Sequence, residues 1–169
     1  MEQPALTILN AHRIMAVSTV RPDGWPQTTI VGYANAGFDI YFLIFRSSQK
    51  FANIQHEPRI SIAVGEEPRE LGELQAVYAG AIASELTDPA ERETAWQLLT
   101  GRHPNLAGFE NPNPAETALI RAQCRHISVL DFTQGRGHTE TLTIGDSGTP
   151  VRSAAGESGW GSSDSTKTV

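Results

Sequence analysis

The chain is 169 residues long, 39% apolar and 19% charged, the size and make-up of one globular domain with room for a sizeable core. Thirteen Lys and Arg against nineteen Asp and Glu leave a net charge of −6, and no two basic residues are adjacent, which argues against nucleic-acid or anionic-lipid partners. The one cysteine, Cys124, can close no intrachain disulfide, the longest apolar run is six residues against the ~20 of a membrane helix, and the opening Met1-Glu2-Gln3-Pro4 has no basic n-region, so a soluble cytoplasmic protein is expected.

Leu6, Ile8 and Leu9, between Pro4 and Met15, have roughly helical spacing and predict a short opening helix. Residues 14–20 and 27–33 are rich in Val, Ile and Thr. Between them, Arg21-Pro22-Asp23-Gly24 has Pro where φ is preset and Gly where φ turns positive, which predicts a β-hairpin. Asn35-Ala36-Gly37 supplies a second turn, and residues 38–45 read as a long buried strand. Ser47 or Ser48 is placed to cap a short helix over 48–55, stopped before Pro58. A fourth strand follows at 59–64, then a charged loop over 65–72. Residues 74–86 predict a fifth strand in which Gly80 weakens the pattern or marks a bulge. Asp88-Pro89-Ala90-Glu91 combines an N-cap, a first-turn proline and an acid three positions on, so a helix is expected over 89–99. Residues 105–114 read as loop, 115–122 as helix and 126–132 as a sixth strand.

From residue 145 the composition changes: Gly, Ser and Thr fill 14 of the last 25 positions. Such a segment buries too little to offset its ordering entropy, so a folded domain over 1–145 and a disordered tail over 146–169 are expected, with Trp160 able to dock. Hairpin-connected strands with no strand–helix–strand rhythm predict a mainly β (α+β) fold, an antiparallel barrel with peripheral helices.

Most motifs that carry chemistry are missing. Gly135-Arg136-Gly137-His138 lacks the third glycine of a dinucleotide fingerprint, and no phosphate-binding loop or nucleophile elbow occurs. The five histidines lack ligand spacing, so no metal site is expected. Asp88, Glu91 and Glu93 complement a helix dipole without catalysis. One stretch does point to a ligand. In Arg46-Ser47-Ser48-Gln49-Lys50, backbone amides, hydroxyls and cations at a helix start can converge on a phosphate. A capped helix with two solvated cations explains the same residues.

The order of the pieces, from residue 5 to 133, resembles the pyridoxamine 5′-phosphate oxidase-like family of FMN-binding split barrels. Met15-Ala16-Val17-Ser18-Thr19-Val20 through Asp23-Gly24-Trp25-Pro26-Gln27 is similar to the family's opening hairpin. Phe38-Asp39-Ile40-Tyr41-Phe42, then Ser48-Gln49-Lys50, then Asn53-Ile54-Gln55-His56-Glu57-Pro58-Arg59-Ile60-Ser61 is similar to its core. The resemblance implies a six-stranded antiparallel split β-barrel that forms a homodimer, with FMN in grooves at the subunit interface. Carried over by position, Thr28, Thr29, Ile30 and Val31 would line the flavin through the backbone of the second strand, and Leu43 and Ile44 would flank it. Ser48, Gln49 and Lys50 would hold the phosphate, and Gln75, five residues before Gly80, matches a flavin-contacting glutamine.

The departures narrow the function. Thr28 and Tyr33 stand where the oxidases carry an Arg and a Lys, Thr133 replaces a Trp, and Arg136-Gly137-His138 only loosely matches their substrate-binding Arg-x-His. These differences argue against pyridoxamine phosphate as the substrate. The resemblance therefore implies an FMN-dependent oxidoreductase passing a hydride to an unidentified small molecule, with no side chain standing out as catalytic acid or base. Relatives with this outline also use the deazaflavin F420, and some bind or degrade haem, so the alternatives are an F420-dependent reductase or a non-enzymatic flavin- or haem-binding protein. Haem would need an axial ligand such as His126 or His138.

Overall fold

A computed structural model describes residues 2–106, 108, 112–135, 137–145 and 149–151. The chain runs α1 (Glu2–Ala11), β1 (Ile14–Val20), β2 (Pro26–Gly32), β3 (Ala34–Ala36), β4 (Asp39–Phe45), α2 (Gln49–His56), β5 (Arg59–Gly65), β6 (Gln75–Glu85), α3 (Pro89–Arg102), β7 (Thr117–Asp131), β8 (Thr139–Ile144) and β9 (Pro150–Val151). All strand pairs are antiparallel, in the order β2-β1-β5-β6-β7-β4-β3, with β8 also on β7 and β9 on β8. The sheet curls into the expected split barrel. One edge strand, β2, approaches β4, the strand next to the other edge, without ladder pairing.

The first hairpin forms where the sequence places it. Gly24 has φ 86°, and the Asp23 carboxylate accepts from the Trp25 amide at 3.2 Å. The second turn falls later than expected, since Ala34–Ala36 is a short strand and Gly37, at φ 59°, makes the reversal. Strands β1 and β5 alternate strictly, with Met15, Val17, Ile60, Ile62 and Val64 turned into the barrel. Ala5, Ile8 and Leu9 of α1 and Ile54 of α2 complete that core.

The helix expected over 115–122 is instead the first half of β7. Ala118, Leu119 and Ile120 are each fully buried, between β4 and β6 in the sheet and under α3 on the outside. A strand covered on both faces loses its period-of-two pattern, and Ala, Leu, Arg and Gln then read as helix formers. The irregularity expected at Gly80 is a bulge. Gly80 faces His126 while Ala81 faces Cys124, so Arg125 is the extra residue and two consecutive side chains, Arg125 and His126, border the outer surface.

The 145/146 boundary falls within the last hairpin. The Gly145 amide donates to the Thr149 carbonyl at 2.9 Å, and Val151 pairs with Thr143. The remainder of the tail, Trp160 included, and Arg136 lie outside the described residues. No described helix is long and apolar enough to cross a membrane.

Candidate functional site

The phosphate-like stretch lies where β4 hands over to α2. Ser48 is the N-cap. Its hydroxyl accepts from the Phe51 amide at 3.3 Å and donates to the Phe45 carbonyl at 2.6 Å. Lys50 is half-buried in the first turn, and burial lowers its pKa from the usual 10.5. Among the described residues its ammonium has no hydrogen-bond or ion-pair partner. A partly desolvated, unpaired cation beside the amide-rich start of a helix suits an anion.

Arg46 does not join this group, which corrects the reading of two converging cations. Its guanidinium pairs with Glu85, donates to the Pro114 carbonyl at 2.7 Å and lies 5.2 Å from the centre of the Phe51 ring. Glu85 is 39 residues away in sequence, so no local pattern announced the pair.

Strand β2 borders the same region. It is an edge strand with β1 as its only ladder partner among the described residues, so one side of its backbone carries unpaired peptide groups. Thr28 and Ile30 face outward and Thr29 and Val31 inward. The Thr28 hydroxyl bonds Ser18 at 2.7 Å. The Thr29 hydroxyl is sealed from solvent with no partner among the described residues, on the strand whose backbone would line a flavin. Tyr33, which stands where the oxidases carry a lysine, is wholly buried and donates to the Leu9 carbonyl at 2.7 Å; burial pushes its hydroxyl up to about 12. It fastens α1 instead of facing a ligand.

The other implied residues are on β4 and β6. Ile44 is inside the barrel and Leu43 is half-buried under α3. Gln75 begins β6, while Glu85, the partner of Arg46, ends it. Ten residues of extended strand put those ends about 33 Å apart. Gln75 therefore lies at the end of β6 opposite the Arg46–Glu85 pair.

Outside the barrel, Ser18, Ser61 and Gly80 stand in register across β1, β5 and β6. They floor a groove of about 490 Å³ bordered by Val20, Arg59 and His126. The next row, Ile30, Ala16, Ala63 and Tyr78, is apolar and lies beside a depression of about 360 Å³. At the groove rim the Arg59 guanidinium, hydrogen-bonded at 2.6 and 2.8 Å, holds the Glu57 carboxyl at about 2. Among the described residues no three His, Cys, Asp or Glu side chains gather as a metal would require.

In fold the chain is similar to a haem-binding protein from Mycobacterium smegmatis, with a TM-score of 0.72, 17% identity, and 84% of this chain but 57% of that one covered. It is also similar to a conserved hypothetical protein from Mycobacterium tuberculosis, with a TM-score of 0.69, 20% identity and 93% of both chains covered. A third similar structure is an FAD-binding protein from Mesorhizobium loti, with a TM-score of 0.62, 20% identity, and 76% of this chain and 93% of that one covered. No curated protein matches the chain in sequence. The profile of the pyridoxamine 5′-phosphate oxidase family, however, matches residues 1–131, and by that match over most of its length the chain belongs to this family.

Proposed function

We propose that the protein is an FMN-dependent oxidoreductase acting on a small molecule, working as a homodimer with the cofactor at the subunit interface. The observation that carries this reading is Lys50, half-buried and unpaired beside the capped start of α2. Ser48, Gln49 and Lys50 would hold the phosphate through amides and ammonium. The free backbone edge at Thr28, Thr29, Ile30 and Val31 would bond the polar rim of the ring. FMN, when bound, supplies the hydride chemistry, and the chain binds, orients and shields it.

Gln75, which the resemblance places at the flavin, starts β6 at the end opposite the Arg46–Glu85 pair, and in a homodimer a second copy would bring it to the cluster around Lys50. The apolar row Ile30, Ala16, Ala63 and Tyr78 is a surface such a copy would cover. The family relationship and the FAD-binding protein of similar fold agree with a flavin. A second reading, haem, is favoured by His126 at the groove, placed there by the bulge.

The test is titration of apo-protein with FMN. Lys50→Ala is expected to cost about 1.5–3 kcal/mol of binding, since it removes a charge-assisted bond to a phosphate. Below the lowered pKa of Lys50 binding is at full strength, and it weakens as pH rises through that value, sooner than an ordinary lysine would allow. An unchanged dissociation constant in the variant would remove the phosphate from this site. A Soret band on the purified protein would favour haem.

A further inference from the structure

Helix α2 buries two side chains, Ile54 and Asn53, and the second is an amide with no solvent exposure. Asn53 Nδ2 donates to Thr19 Oγ1 on β1 and to Gln27 Oε1 on β2, both at 2.9 Å, and its Oδ1 accepts from Gln49 Nε2 at 2.9 Å. The Thr19 hydroxyl donates in turn to the Gln27 carbonyl at 3.4 Å. Both N–H donors and the oxygen of this buried amide are engaged, and its partners lie on β1, on β2 and one turn earlier on α2 itself. If the site only filled core volume, an apolar residue would serve without the cost of burying polar groups. The residues it joins are the first turn of α2, which carries Lys50, and the residue just before Thr28 on the open edge of β2.

We propose that Asn53 is a positioning residue that locks the anion-binding turn of α2 at a fixed span from the β2 edge, so that one ligand can engage both. This rests on the FMN reading above. A ligand held at two points gains from the second only to the extent that the points are rigidly placed beforehand. With Asn53 in place, the phosphate of a flavin nucleotide lands on Ser48, Gln49 and Lys50 while its ring lies along β2. Without it, α2 shifts against β2, and the phosphate contact weakens while the ring contact persists.

The experiment compares FMN with riboflavin, which carries the same ring without the phosphate, by fluorescence titration of apo-protein. Wild-type protein is expected to prefer FMN, and Asn53→Ala to lower that preference by about tenfold. In the variant, riboflavin affinity should stay within about twofold of wild type. Thermal stability falls whichever role Asn53 has, so it does not discriminate. Thr19→Val and Gln27→Leu each remove one partner and should lower the preference by a smaller factor, which keeps the test available if Asn53→Ala does not fold. A preference unchanged in the variants, with both ligands weakened alike or neither affected, would overturn the proposal and leave the FMN reading standing. Wild-type protein that does not distinguish the two ligands would overturn that reading, and the proposal with it.

Discussion

The outer surface of the sheet has two halves built from the same materials. On one, Tyr41 and Leu43 of β4 and Leu119 of β7 lie beneath Trp96 and Leu99 of α3. On the other, Ile14 is 60% exposed, Ile30 66% and Tyr78 40%, with no described element above them. The strands on both halves present apolar side chains outward, so coverage separates the halves, not composition. The covered half behaves as the interior of a single chain. The uncovered half has the character of an interior whose second layer must come from elsewhere.

Removing the cover is expected to have the largest effect. Trp96→Ala should lose about 3–5 kcal/mol of unfolding free energy in a urea titration, the cost of a large buried aromatic. A loss below about 1 kcal/mol would mean that α3 is an accessory and the two halves are alike.

Charging the open half should do the opposite. Ala63→Asp, between Ala16 and Tyr78, should leave the folded subunit within about 0.5 kcal/mol of wild type. If the proposed homodimer uses this face, the substitution should also weaken dimerisation by about 2–3 kcal/mol, because two like charges would face each other across the two-fold contact. Sedimentation velocity reads the second quantity, and an unmoved dimer would place the contact on another surface.

The smallest effect is electrostatic. Glu57 on the groove rim is held at about 2 by Arg59, against an ordinary 4.5. A depressed carboxylate contributes stability that is complete above 4.5 and is lost as pH falls towards 2. Its carboxyl resonance followed by NMR should titrate near 2 in the wild type. In an Arg59→Ala variant it should titrate near the ordinary value.

Features set by neighbours in the chain were legible in the sequence. Asp88 caps α3 by accepting from the amides of Ala90 and Glu91 at 2.9 and 3.0 Å, Ser48 caps α2, and Gly24 turns the first hairpin. Each is a local contact with a residue-type signature. The first half of β7 was not legible because its identity as a strand depends on β4, β6 and α3, all distant in sequence. The site divides the same way. Lys50 beside a capped helix start could be read from five consecutive residues, whereas the diversion of Arg46 to Glu85 and the link from Asn53 to Gln27 depend on contacts across 39 and 26 residues. Leu43 and Ile44 are adjacent and so point to opposite faces of β4.

The guanidinium of Arg102, at the end of α3, donates to the carbonyls of Leu9, Asn10 and His12 at 3.3, 2.8 and 2.9 Å and to the Asn35 side chain at 3.0 Å. It ties down the carbonyl end of α1 from 92 residues downstream of Asn10. On a ribosome adding about 5–20 residues per second, the first helix emerges roughly 5–18 seconds before the side chain that fastens it. Its apolar face, Ala5, Ile8 and Leu9, packs on β5, β6 and β7, and the last of these, Thr117–Asp131, is made after Arg102 itself. Helix α1 is thus made well before the contacts that secure it, and until then its apolar face is exposed on the nascent chain.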